Sequence, residues 1–264
     1  MATIFDRPLT APTGNERFFL GAAIAMTLVI VLGFVNQLAM GRSTFYSPPL
    51  VHAHAIMFMG WVTIYLLQNI FAATGRMELH RRLGWVAAGW IIPMIILGFG
   101  VTLAVVRRGQ VPFFFRPLQF LIFDPASLLT FAGLTASAII LRSRTEWHRR
   151  LHLCGMSMLM APGFGRLLPL PLLEPFAWEA SFAAGLVFPV AGIVADLKRT
   201  GNVHPAWRYG LVTMIGAFVA IEAITYSGVG KLAYRGATWD SPGAKVAPLE
   251  FGAPPPGGLV TGRS

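Results

Sequence analysis

Charge is what this chain has least of. Only 12% of its 264 residues are Asp, Glu, Lys or Arg, where a soluble domain carries roughly 25%. Cysteine is almost absent too. Cys154 is the only one, so no intramolecular disulfide, no CxxC redox motif and no zinc site of the thiolate type can form. There is no Walker motif, GxSxG elbow or HExxH helix, and Gly163-Phe-Gly165 is a GxG with no strand before it. Acidic residues are the scarcer sign, 11 against 21 Lys and Arg, for a formal charge of +10. That balance does not point to nucleic acid, because the basic residues cluster between apolar runs, as the positive-inside bias predicts.

What is present in excess is apolar sequence, 55% of the chain, with a mean hydropathy of +0.62. Seven apolar runs fall near 18–39, 51–73, 84–106, 118–141, 151–172, 178–196 and 207–227. Each approximates the ~20 residues a helix needs to cross a bilayer. The fold expected is an all-α, integral membrane bundle of about seven transmembrane helices. A cytoplasmic N-terminal arm (1–17) would precede it, and a poorly ordered Gly/Pro-rich extramembrane tail (228–264) would follow. The first run is too long for a signal-peptide core of ~7–15 residues and reads as a retained span. The fifth, broken by Pro162, Pro169 and Pro171, should be kinked or interrupted. Twelve Lys and Arg lie in the N-terminal arm and the 74–83, 142–150 and 197–208 loops. Four (Arg42, Arg107, Arg108, Arg116) lie in the opposite loops. This asymmetry predicts a multi-pass membrane protein with its N-terminus in the cytoplasm.

One stretch organises the rest. Leu50 to Gly84 opens with His52 and His54, runs about 20 residues without formal charge, and ends in Arg76, His80, Arg81 and Arg82. His54, Trp61, Tyr65 and Gln68 share one helical stripe, which should face protein rather than lipid. Glu78-Leu-His80-Arg81-Arg82-Leu83 recurs as Glu146-Trp-His148-Arg149-Arg150-Leu151. Two spans separate the copies, so the expectation is a parallel internal repeat of helical hairpins, spans 2–3 and 4–5.

Ionisable residues inside spans are costly and are functional candidates by default. Asp124, Arg166 and Glu222 each fall ~8–9 Å inside the outer ends of spans 4, 5 and 7, level with His54. One reading is a packing network in which Arg166 pairs with Asp124 or Glu222. The other is a ligand site open to the outside, with His54, Asp124 and Glu222 as metal ligands and Arg166 neutralising a propionate or a substrate anion. His52 lies two residues from His54 and converges with it only if the backbone there is not helical. His148 and His152, at i and i+4, have the spacing of two ligands on one helix and are further cofactor-binding candidates. His80 reads as an interfacial residue, and Met156, Met158 and Met160 as core filler.

The Gly75-Arg76 … His80-Arg81-Arg82-Leu83-Gly84 loop after a histidine-headed span resembles a family of uncharacterised bacterial polytopic membrane proteins. The resemblance covers about residues 50–166 and implies a fold more than an activity. His52-Ala53-His54 is also similar to the His-Ala-His motif of haem- and copper-containing membrane proteins of the nitric-oxide response. It resembles, too, the axial-histidine helices of terminal oxidases and diheme b-type cytochromes.

The leading expectation is therefore a membrane protein that binds haem b or a transition metal in a redox or sensing role, since neutral imidazole suits both. The alternatives are a small proton-coupled transporter, which needs no cofactor, and a non-catalytic assembly subunit. The partners expected are the lipid bilayer and, for a subunit, other membrane subunits, with nucleic acid excluded.

Overall fold

In a computed structural model that describes residues 14–254, every regular element is helical. The first 13 residues of the N-terminal arm and the Pro/Gly-rich end, 255–264, lie outside the described residues. Six helical stretches are long and apolar enough to cross a membrane. They are α1 (Gly14–Ala39), α2 (Pro49–Ala73), α3 (Met77–Arg107), α4 (Pro117–Ile140), the joined pair α7 (Ala177–Gly185) and α8 (Val187–Thr200), and α9 (Pro205–Thr225). This supports a multi-pass membrane protein. Proline opens α2, α4 and α9, where its missing N–H would have no intrahelical partner. Gly201, with φ 70°, ends α8 in the left-handed conformation that glycine adopts without strain.

The fifth apolar run does not form one long helix. It divides into α5 (Thr145–Met158) and α6 (Ala161–Leu167), followed by a 3-10 turn at Leu170–Leu173. Pro162 sits in the first turn of α6 and Pro169 just beyond its end, and each removes a backbone donor that a continuous helix would use. α6 packs along α1, and α5 reaches it through the basic side chains of its first turns. At one end the guanidinium of Arg149 is 5.1 Å from the Phe19 ring, and at the other that of Arg166 is 4.0 Å from the Phe34 ring. The α1–α6 approach is close because a Cβ on Gly33 would stand 2.6 Å from the Gly163 carbonyl oxygen.

Asp196, buried on α8, ties three helices together at the end of the bundle where the basic loops gather. Its carboxylate accepts from Arg150 Nε and Nη2 at 2.9 and 2.7 Å, from Arg199 Nη2 at 2.8 Å, and from the Trp207 indole at 2.7 Å. The indole reaches it across Gly192, where any Cβ would lie 2.3 Å from the Trp207 ring. Arg150 also bridges to Glu146, as does Arg149. Burial opposes the charge on Glu146, but hydrogen bonds and charge from the two arginines outweigh it and hold its carboxyl at about 2, against an ordinary 4.5.

The tail is more structured than its composition implied. α10 (Gly228–Thr238) and a 3-10 turn (Pro242–Lys245) fold back over the opposite end of the bundle. Leu118 N donates to the Pro248 carbonyl at 2.8 Å, Gly252 N to that of Phe113 at 3.1 Å, and the Tyr234 hydroxyl to that of Gly243 at 3.1 Å. The Pro and Gly content averaged over the tail masks Tyr234, which is 4% exposed and anchors this segment.

Two outcomes follow from the Asp196 hub. Asp196→Leu leaves Arg150 and the Trp207 indole without their buried acceptor, and should cost about 3 kcal/mol or more. An unchanged melting temperature in detergent would contradict that role. For Glu146 the folded value lies below the unfolded one, so its contribution is complete above about pH 4.5 and is lost as the pH falls towards about 2. Wild-type melting should fall across that window, and Glu146→Gln should lack this component.

Candidate functional site

The side chains singled out in the sequence gather into three groups. The register of the first comes from a packing contact between α2 and α4. The Trp61 and Phe131 rings meet edge to face at 5.0 Å. Seven residues back along each helix stand His54 and Asp124, so these two are level with each other. His54 stacks on Phe58 at 4.2 Å, and its Nδ1 is buried without a hydrogen-bond partner. Asp124 accepts from the Thr102 hydroxyl of α3 at 3.1 Å. Arg166 completes this level from α6, with Nη1 donating to the Pro162 carbonyl at 2.8 Å and the guanidinium over Phe34. Among the described residues no salt bridge joins Arg166 to Asp124 or to Glu222. His52 turns away, with its Nε2 3.1 Å from the Phe45 carbonyl oxygen of the preceding loop.

Glu222 belongs to a second group. It accepts from Gln119 Nε2 at 3.0 Å. One Glu179 carboxylate oxygen is buried and unpartnered. Arg116, at the start of α4, has its guanidinium 5.9 Å from the Tyr226 ring and 4.4 Å from that of Phe251. Gln119 decides where Glu222 goes, and an uncharged residue in an apolar span is a faint signal in a sequence.

The third group lies near the basic end and is made of histidines. His80 and His148 are 6.1 Å apart, and His148 and His152 4.7 Å apart, ring centre to ring centre. His80 Nδ1 is 3.2 Å from the Gln68 carbonyl oxygen, and His148 Nδ1 is 2.8 Å from that of Ala138. A ring that donates from Nδ1 in this way presents Nε2 as a free acceptor. Burial lowers the pKa of His148 and the nearby Arg142 adds to this, against the hydrogen bond to Ala138, so the neutral ring is favoured. The i, i+4 spacing of His148 and His152 was visible in the sequence. Adding His80 required only that the two loop copies be read as equivalent. Among the described residues no three His, Cys, Asp or Glu side chains form a group that could hold a metal ion.

Between the first and third groups, buried polar atoms without partners continue along α2 and α4. They are Trp61 Nε1 and Gln68 Oε1 on α2, and Ser127 Oγ and Thr135 Oγ1 on α4. Buried polar groups are normally satisfied. Further unpartnered atoms lie elsewhere in the bundle, on Asn15, Gln37, Arg149, Trp178, Glu179 and Thr225, so what sets these four apart is their alignment along two helices. Near the histidines, at the mouth of the bundle, a recess of about 650 Å³ is lined by Glu146, Arg150, Asp196, Arg199 and His204.

No family model, curated protein or solved structure matches this chain.

Since Glu222 and Arg166 have different partners, Arg166→Met and Glu222→Gln should change stability additively, within about 0.5 kcal/mol. A double-mutant cycle by thermal melting checks this. A coupling above about 1 kcal/mol would put the two residues in one network.

Proposed function

We propose that this is a small proton-coupled permease whose proton route runs between α2 and α4. The observation that carries the reading is the series of unpartnered buried polar atoms from His54 through Ser127, Trp61 and Thr135 to Gln68. Asp124 and His54 stand at one end of the series, and His80, His148 and His152 at the other. Asp124 takes up or releases the proton at its end, the neutral imidazoles accept it at theirs, and the hydroxyl, amide and indole groups between them hold the route. Arg166 supplies positive charge at the level of Asp124, which favours a small anion as the co-transported species.

The moving part is the interrupted fifth segment, which we take as a seventh crossing. Two observations support this. Phe19 and Phe34, which meet Arg149 and Arg166, are 15 residues apart on α1, about 22 Å along its axis. Phe123 near the start of α4 stacks on Trp178 near the start of α7 at 4.2 Å, while the far end of α4 meets α5 through the Ala138–His148 hydrogen bond and α5 meets α8 through Arg150 and Asp196. Two parallel spans need a crossing between them. Broken helices of this kind build the sites of many secondary transporters. The two hairpins, α2–α3 and α4–α5, form the parallel repeat: each has a glutamate in the first turn of its second helix and a histidine bonded back to the preceding helix. With the basic loops in the cytoplasm, Asp124 faces the exterior side of a bacterial inner membrane.

A second reading has one observation in its favour. The Nδ1-to-carbonyl bonds of His80 and His148 are the outer-shell arrangement of metal-ligating histidines. They would suit haem b or a transition metal in a redox or sensing role, with His148 and His152 on one face and His54 as a separate axial candidate. Asp124 and Glu222, with different partners, do not add to this set.

An optical spectrum and metal analysis of the purified protein separate the two readings. The permease reading expects no Soret band and no stoichiometric metal, together with collapse of an imposed pH gradient in proteoliposomes. Asp124→Asn should slow that collapse by about tenfold or more while melting stays near wild type. A metal-replete protein that leaves the gradient intact would overturn it. Reporter fusions at 143 and 175 should locate to opposite sides of the membrane, and the same side for both would remove the seventh crossing.

A further inference from the structure

We infer that α10 is an interfacial helix that lies in the phospholipid headgroup layer, at the end of the bundle opposite the basic loops, and holds anionic headgroups with Lys231 and Arg235. Three faces of this eleven-residue helix are separated by its periodicity. Gly230, Tyr234 and Thr238 are buried against the bundle. Val229 and Leu232 form an apolar stripe and are 70% and 69% exposed, and Trp239, the residue just beyond the helix, is 77% exposed. Lys231 and Arg235, one turn apart, are exposed beside that stripe.

Its position leaves little choice of surroundings. α10 begins three residues after α9 ends, and α9 is a candidate membrane span. Ser227 caps α10, its hydroxyl accepting from Gly230 N at 3.1 Å. Arg107, in the last turn of the span α3, donates to the Ala237 carbonyl at 2.9 Å. The helix is thus fixed at the level where two spans terminate, which is where the headgroups begin. An apolar stripe flanked by basic residues at this depth matches lipid on both counts. The stripe enters the acyl boundary and the cations meet phosphate. Tryptophan at the end of such a stripe is favoured in the same layer.

The test uses introduced cysteines, because the native thiol, Cys154, is buried. Leu232→Cys and, as a control on the exposed 3-10 turn, Lys245→Cys are labelled with an environment-sensitive fluorophore. The full chain is placed as single copies in nanodiscs of phosphatidylcholine and phosphatidylglycerol. The label at 232 should emit to the blue, resist iodide and be quenched by lipids that carry a spin label near the headgroup. The label at 245 should be quenched by iodide. Equal iodide quenching at both positions would overturn the proposal. So would protection at 232 that appears only when two copies share a disc, since that assigns the stripe to a second copy of this chain. Replacing Lys231 and Arg235 together by Gln should reduce phosphatidylglycerol retained through detergent purification by roughly tenfold. Unchanged retention would refute the role of the two cations.

Discussion

The structure depends on how few partners an apolar bundle offers to a polar group. A carboxylate, guanidinium or indole N–H inside it must find one of a small number of opposite groups, or carry a large cost. Asp196 is the fullest solution. One carboxylate satisfies Arg150, Arg199 and Trp207 and so joins α5, α8 and α9. This matters most for α5, whose 14 residues extend only about 21 Å. With Arg150 held at its foot, α5 enters the bundle at a fixed height, and the histidines on either side of Arg150 face His80 and the ends of α2 and α4.

Set against that satisfied hub, the interior between α2 and α4 lines up unsatisfied groups along two neighbouring helices. His54, Trp61, Gln68, Ser127 and Thr135 each bury a polar atom without a partner. Close packing reinforces the arrangement, because Gly155 brings α5 so near α4 that a Cβ there would be 2.9 Å from Thr135 Oγ1. Stability alone favours removing such groups or pairing them. The proposed role in carrying protons would give a reason to keep them, and it would link side chains that are otherwise scattered over four helices.

Much of this was legible in the sequence, and the exceptions have physical causes. Apolar run length located the long helices, and the seven-residue spacing of His54, Trp61 and Gln68 indicated one inward stripe. The duplicated Glu-x-His-Arg-Arg-Leu loop marked His80 and His148, each of which bonds back to the preceding helix. Hydropathy could not separate α5 from α6, since Leu159 and Met160 at the break are as apolar as their neighbours. Depth alone grouped Glu222 with Asp124, because distance along a helix says nothing of direction around it. In the structure Gln119 draws Glu222 to a separate group. Asp196 was missed because it falls at the end of a span, where an acidic residue commonly meets water. Its three partners lie 46, 11 and 3 residues away, and only folding brings them together.

The central claim is that the Asp124 level and the histidine group belong to one proton route. It is tested most directly by titrating the histidines from the far side. Nitrogen-15 spectra of His80, His148 and His152 would be recorded in oriented proteoliposomes, with the compartment on the histidine side strongly buffered and the pH on the Asp124 side lowered. The account predicts that the imidazole signals change in wild type and remain fixed in Asp124→Asn. Histidine signals that follow only the compartment nearest to them, with or without Asp124, would contradict it.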